Sequence, residues 1–504
     1  MRFNFMVEGK YKEKNYEGEQ AYLLMPEWYL YVAAVTSSLN DKFYESTETR
    51  IEIIRKLIAS CDPVFVARLA VYTRQKMNMR TIPFVLAVEL AKVHRGDSIV
   101  GRMVSHIVRR ADEIAELLIY YQLANQRKEM KKLNRLSKQL QSGLQKVFNN
   151  FDEYQFAKYN RRREVVLRDA LFLVHPKAKD DAQQALFNRI VNDELEIPYT
   201  WETELSALGQ IKFISDKEKN IAFRMKWEEL IDSRKLGYMA LMRNLCNILK
   251  ANVSQQHLMK VCQMLSNADA VRNAKQLPFR FLAAYREISK VKSAYIGRVM
   301  NALEQAAVIS AENIAGFGKD INVLIACDVS SSMQHPVSYN SKIQYYDIGL
   351  MLAMLLKSRC KNTIIGIFGN SWKIIDVTAN GILSNVEDLY SRVGEVGYAT
   401  NGYLVIEDLL KSKKQINKVM MFTDCQLWNN RNDLKIVSLW KDYKKISPES
   451  KLYLFDLSGY STTPLDINRD DVFLIAGWSD KIFDIIAAID KGGDALDEIK
   501  KIEL

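Results

Sequence analysis

Three oxygen-bearing side chains alternate in one short stretch: Asp328, Ser330 and Ser332, directly after the apolar run Ile321–Cys327. One carboxylate and two hydroxyls in a single tight loop form a hard, all-oxygen donor set of the kind that suits Mg²⁺. Alone, the same residues read equally well as a helix N-cap, because Ser and Asp are favoured there and the apolar segment Ile343–Leu356 follows. A second apolar run, Val419–Phe422, ends in Thr423-Asp424. Between the two runs lies a glycine-flanked loop, Gly397-Tyr398-Ala399-Thr400-Asn401-Gly402. Short continuous apolar runs read as buried parallel strands. Ligands of open α/β sheets bind outside the carboxyl ends of such strands.

The elements that must hold these residues follow from the periodicity. After residue 320 strands and helices alternate: strands over Ile321–Cys327, Thr363–Phe368, Val419–Phe422, Lys451–Leu457 and Val472–Ala476, with another at Lys373–Val377. Helices are expected over Lys342–Lys357, Tyr403–Ser412 and Lys481–Ile489. The pattern is that of a doubly wound α/β domain over 319–504. From Met25 to about Gln305 the chain instead reads as helix after helix with short connections, including 80–94, 98–124, 130–149, 217–232 and 235–250. Such a series suggests an α-solenoid of helix pairs, although the units do not align as sequence repeats, and a large irregular helical domain fits as well. The expected organisation is an arm over 1–20, a helical-repeat domain over 21–318 and the α/β domain over 319–504. Ala315–Gly318 is the expected linker.

A chain of 504 residues is too long for one ordinary core, and its net charge is +11. Residues 319–504 hold 22 Lys and Arg against 24 Asp and Glu, whereas residues 1–318 hold 49 against 36. All the excess positive charge therefore precedes the Asp328 strand, and a polyanionic partner is expected there. The six cysteines are scattered, with no CxxC pair and no zinc spacing, which points to a reducing compartment. The first twenty residues have no apolar signal core, and no run of about 18 apolar residues occurs. No membrane association is expected, and the expected location is the cytoplasm.

Two basic clusters lie in the helical part. The first is Arg127, Lys128, Lys131, Lys132, Arg135 and Lys138, of which Lys128, Lys131, Lys132, Arg135 and Lys138 fall roughly along one side of an expected helix, with Lys146 beyond. Lys158, Arg161, Arg162 and Arg163 form the second, followed by Arg168, His175 and Lys177. Tyr154, Phe156 and Tyr159 beside them are aromatics on which unpaired bases can stack. Charge runs are more often solvated helix faces, and aromatics at this spacing are more often core. His175, beside Pro176 after an apolar helix, reads on its own as a satisfied core histidine.

The three loops around Asp328 resemble the metal-ion-dependent adhesion site of a von Willebrand factor A domain. The resemblance implies hydroxyl ligands from Ser330, Ser332 and Thr400, carboxylates from Asp328 and Asp424, and Mg²⁺ or another divalent cation. Room remains for an outside carboxylate from a partner. The Thr400 loop departs from the tighter Gly-Gly-Thr-Asp of that pattern. His335 lies in a proline-containing loop and reads as a solvated residue rather than a base. No phosphate loop and no nucleophile elbow is present. The site reads as a docking site, not a catalytic one.

The whole chain resembles the Ro autoantigen family of TROVE-domain RNA-binding proteins. The likeness rests on Arg68–Arg74, Lys158–Tyr159, Arg168–Pro176, Ala240–Leu245, Leu277–Phe279, the Asp328–Met333 loop and Phe422–Asp424. It implies a HEAT-like helical solenoid closed into a ring by the A domain. Single-stranded 3′ ends of misfolded non-coding RNAs would enter the hole near Lys158, Arg162 and His175. Small stem-loop RNAs of the Y type would bind an outer surface that includes Arg127, Lys131, Lys132, Arg135 and Lys138. An exoribonuclease is an expected further partner. Two other readings remain. One is a protein–protein scaffold that uses the metal site without RNA, and the other is a metal-dependent nuclease using Asp328 and Asp424.

Overall fold

The computed structural model describes residues 12–37, 46–125, 136–160, 164–312, 314, 316–318, 320–338, 341–378, 381–428 and 436–504. The chain divides into two compact units. The first holds Met1–Leu57, Leu265–Lys290 and Gly297–Glu498; the second holds Ile58–Met264, Val291–Ile296 and Ile499–Leu504.

The first unit contains strands β1 (Lys12–Lys14), β2 (Gln20–Leu23), β3 (Asn322–Asp328), β4 (Asn362–Phe368), β5 (Trp372–Ile374), β6 (Lys418–Thr423), β7 (Lys451–Asp456), β8 (Thr462–Thr463) and β9 (Val472–Ala476). Six of them form a sheet in the order β5-β4-β3-β6-β7-β9. Its neighbours are parallel except for β5, an antiparallel edge on β4. The strands read from the apolar runs are all present, because a central parallel strand is buried on both faces and needs no alternation. β6 is buried at every position. The helix Tyr345–Arg359 is buried from Tyr345 through Leu356. A helix apolar all round must be covered all round, and here β3 and β6 lie on one side and the helices Phe279–Ile288 and Leu383–Ser391 on others.

Segments far away in sequence complete this unit. Lys12–Lys14, within the stretch read as an arm, pair with β2, and β2 pairs with β8. The helix Pro26–Val35 lies along β9, where the Tyr31 hydroxyl donates to the Ala476 carbonyl at 3.1 Å and accepts its N–H. The Arg50 guanidinium is buried and donates to the carbonyls of Ser458 and Gly459. Arg286, on the helix Phe279–Ile288, forks onto fully buried Asp347 with two hydrogen bonds of 2.7 and 2.8 Å, and onto Glu387 at 2.6 Å. Asp347 also accepts from the Gln344 N–H and so caps the central helix.

The second unit is helical. Pro63–Gln75 packs on Ile82–Val93 and Ile99–Ile107, and Ile99–Ile107 packs on Lys138–Phe148. That last crossing is backbone to backbone: a Cβ on Gly143 would lie 2.6 Å from the Gly101 carbonyl oxygen. The single helix expected over 98–124 is two, Ile99–Ile107 and Ala111–Ala124. The break is made by charge. Arg74 takes the Ile107 carbonyl at 2.9 Å and pairs with Glu113 at 2.7 Å, while Glu113 accepts the N–H groups of Arg109 and Arg110. Satisfying those backbone groups with side chains ends one helix and starts the next, which apolar periodicity alone does not register.

Arg286→Ala leaves the Asp347 carboxylate buried without its fork. The expected result is a loss of about 3–5 kcal/mol in unfolding free energy, read from the denaturant midpoint. A loss typical of an exposed ion pair, about 0–1 kcal/mol, would show that the pair does not hold the central helix.

Candidate functional site

β3 and β6 pair in parallel, with Cys327 opposite Phe422, so both strands deliver an aspartate to the same end of the sheet. Asp328 ends β3, and Asp424 follows the last residue of β6. Both are about 1% exposed. The Thr423 hydroxyl donates to Asp328 Oδ2 at 2.7 Å, and the Ser330 N–H donates to Asp328 Oδ1 at 2.9 Å. Ser330 and Ser332 hydroxyls lie 3.3 Å apart. Asp424 Oδ1 accepts from the Gln426 N–H at 2.9 Å, but its Oδ2 is buried with no hydrogen-bond partner.

The third loop is held against the first two. The Tyr398 carbonyl accepts from the Ser331 N–H at 3.0 Å, and the Trp428 N–H donates to the Thr400 hydroxyl at 3.1 Å. Thr400 is 6% exposed. Gly397 turns the chain with φ +73°, and a Cβ there would meet the Asn370 side-chain oxygen at 2.2 Å. Cys425 sits in the left-handed region at φ 61°, so the chain after Asp424 turns sharply back through a residue that pays for it in strain.

Burial pushes the carboxyl of Asp328 up from its ordinary range, and the charge of Asp424 pushes it further. Burial likewise raises Asp424; hydrogen bonds from Ser332 and Gln426 pull it back, and the charge of Glu17 adds to the rise. Among the described residues no group of three His, Cys, Asp or Glu is poised to hold a metal. The donors of this cluster are mostly hydroxyls. Two buried carboxylates that repel each other, an orphaned carboxylate oxygen and three neighbouring hydroxyls fit a hard divalent cation.

The basic residues divide differently. Arg127, Lys131, Lys132, Arg135 and Arg162 lie outside the described residues. Lys138 is exposed at the first position of its helix, and His175 is exposed at the left-handed C-cap (φ 50°) of Leu167–Val174. His175 is therefore not the core histidine that its neighbours in sequence imply. Lys158 is half-buried over the rings of Tyr154 and Tyr159, 5.6 Å from each centroid. Phe156 is wholly buried and cannot stack on a base, whereas Tyr154 is 48% exposed. Lys158 lines a cavity of about 630 Å³ together with Trp201, Arg243 and three carboxylates, Asp193, Glu196 and Glu202. Sequence reasoning missed Trp201, Arg243, Thr423 and Gln426. Thr423 was the recoverable one, since it precedes Asp424 at the strand end; Arg243 shows no local pattern.

The parallel sheet, its central buried helix and the oxygen cluster at the ends of β3 and β6 define a von Willebrand factor A domain, carried by a chain whose other unit is helical. Residues 31–194 and 191–343 match the TROVE domain, and residues 322–489 match the Ro60 vWA domain. The chain belongs to the TROVE (Ro) family, RNA-binding proteins that work as ribonucleoproteins rather than as classical enzymes. Telomerase protein component 1 of Mus musculus is 27% identical over 344 residues, and that of Rattus norvegicus 26% over 343. Each match covers 52% of this chain but only 13% of the relative. The crystal structure of the Deinococcus radiodurans RO (RSR) protein shares the fold, with a TM-score of 0.58 at 16% identity over 93% of this chain and 100% of that one. Among the described residues no helix is long and apolar enough to cross a membrane.

In protein freed of divalent ions at pH 8, Asp424→Asn removes a charge that the fold holds at a cost. Its melting temperature is expected to rise above that of the parent in calorimetry with chelator. A fall would show that the parent carboxylate is already compensated.

Proposed function

We propose that this protein binds non-coding RNA through its helical unit, as a ribonucleoprotein of RNA quality control. Its ligands are misfolded RNAs with single-stranded 3′ ends and small Y-like stem-loop RNAs. The observation that carries this reading is the TROVE-domain match over 31–194 and 191–343, in the part of the chain that holds all the excess positive charge. Within that part, Trp201 offers a flat apolar face to an unpaired base in a cavity where Lys158 and Arg243 stand among the carboxylates of Asp193, Glu196 and Glu202. Tyr154 and Tyr159 hold the Lys158 ammonium from one side, so its position is set before RNA arrives. Lys158, Arg162 and His175 bind the single strand in this reading. Arg127, Lys131, Lys132, Arg135 and Lys138 bind the outer stem-loop.

The A domain holds Mg²⁺ or another divalent ion through Asp328, Ser330, Ser332, Thr400 and Asp424. The ion supplies a positive centre on which a carboxylate of a protein partner docks; an exoribonuclease is one candidate. The orphaned Asp424 oxygen supports this reading. Burial keeps the cluster out of bulk water, and the Thr423 hydroxyl and Ser330 N–H fix the orientation of Asp328. Six free cysteines accord with a reducing cytoplasm.

Replacing Lys158 and Arg162 with Ala is expected to weaken binding of RNAs with free single-stranded ends. Each phosphate left without its cation lowers the slope of log affinity against log salt by about 1. Unchanged affinity in filter-binding titrations at fixed salt would remove these residues from the RNA site. Asp328→Ala is expected to abolish Mg²⁺ binding in calorimetry and leave RNA affinity nearly intact. A large loss of RNA affinity would show that the two sites are one.

A further inference from the structure

We propose that Gln145, with Gln141 and Asn149, is a positioning residue for the RNA site. The three amides on one stripe of the helix Lys138–Phe148 and its C-cap hold the backbone through His175, so that its imidazole is presented to an unpaired RNA strand. The inference rests on the reading above that His175 meets RNA, and names what holds it in place.

Gln141, Gln145 and Asn149 recur at every fourth residue, so they share one side of the helix. All three are half-buried. Their side chains meet the end of the helix Leu167–Val174. Gln141 donates through Nε2 to the Leu173 carbonyl at 3.4 Å and to that of Val174 at 3.2 Å. Gln145 donates through Nε2 to the carbonyls of Val174 at 3.0 Å and His175 at 3.2 Å. Asn149 donates to the Lys177 carbonyl at 2.9 Å and accepts the Lys179 N–H at 2.9 Å. The last carbonyls of a helix have no partner within it, and here a neighbouring helix supplies the donors.

His175 stands where that support is densest. Its N–H donates to the Leu171 carbonyl at 2.9 Å, and its φ of 50° lies in the left-handed region. A side chain is disfavoured there, and glycine is the usual residue at such a helix end. A helix that only had to stop would take glycine here without strain. The His175 side chain is exposed, so packing does not account for it either. A strained and exposed side chain, held by amides from another helix, marks a position kept for what the side chain touches. An imidazole hydrogen-bonds a phosphodiester or stacks on an unpaired base. Lys146 and Lys177, both exposed, add charge in the same two segments. A direction fixed beforehand removes ordering that RNA binding would otherwise have to impose.

The test is a double-mutant cycle on the full chain, with the parent, Gln145→Met, His175→Gly and the pair. It is read by filter binding of an end-labelled RNA hairpin that carries a single-stranded 3′ tail. His175→Gly is expected to hold or raise the melting temperature, because glycine enters the left-handed region freely, and to weaken the tailed RNA by about tenfold. Gln145→Met is expected to weaken it by about fivefold alone and by less than about twofold in the His175→Gly background. Gln141→Met goes through the same cycle and is expected to show the same coupling at smaller size, so that the outcome does not depend on the folding of one variant. Equal losses in both backgrounds, or parent-like affinity in Gln145→Met beside a weakened His175→Gly, would overturn the positioning role and leave His175 in the RNA site. A lower melting temperature in His175→Gly would make the histidine structural and overturn the inference. Parent-like affinity in His175→Gly would remove His175 from the RNA site, and with it the reading on which the inference rests.

Discussion

Two carboxylates buried side by side at the ends of adjacent parallel strands are the constraint around which the A domain is arranged. The register of β3 on β6 forces Asp328 and the Thr423-Asp424 pair to one end of the sheet. Each charge taken out of water costs several kcal/mol unless it is compensated. The compensation visible in the protein is partial: a threonine hydroxyl and a backbone N–H for Asp328, a backbone N–H for Asp424. The same loops that supply these donors hold the second oxygen of Asp424 without one. A domain built only for stability would hold neutral residues there, and this residual cost is what the metal-site proposal accounts for.

The loop geometry depends on segments that the α/β stretch does not contain. The turn before β2 and the β2–β8 pairing brace Gln426 and Leu427, directly beyond Asp424. Arg50 fixes the chain after β7, where Asp456 accepts the N–H groups of Ser458 and Gly459. The helix that runs behind β3 and β6 starts at Asp347, whose charge is held by Arg286. The residues that position the site thus come from either end of the helical stretch. This follows from a simple need: a parallel sheet exposes loop backbone at its carboxyl edge, and that backbone must be covered or hydrogen-bonded.

Much of the architecture was legible. The apolar runs of β3 and β6 gave their strands within a residue, because burial on both faces writes itself as a continuous pattern. Asp328, Ser330, Ser332 and Asp424 were legible because they abut those runs. What the sequence hid was long-range and polar. Nothing local marks Arg286 as the partner of Asp347, 61 residues on, or Asn15 as a brace for Leu427, 412 residues on, since each contact exists only once the fold has closed. The split of 98–124 into two helices was hidden for the same reason: Arg74 reaches the Ile107 carbonyl from another helix. Phe156 took the core reading of the two that the sequence left open, because an aromatic beside basic residues has the same spelling whether it faces RNA or the core. His175 misled in the opposite direction, since a helix ending in the left-handed conformation turns its last residue outward.

The two proposed sites differ in the kind of anion that each can hold. A polyanion binds by adding many weak contacts, each releasing counterions, and so favours a surface with many cations. The stretch over 319–504, with 22 basic against 24 acidic residues, offers no such surface, whereas 1–318 does. A single carboxylate needs only one strong centre in a dry, shaped place, which the Asp328–Asp424 cluster provides once a cation fills it. On the proposed reading electrostatics sorts the ligands, with the extended polyanion on the basic helices and the isolated carboxylate on the ion.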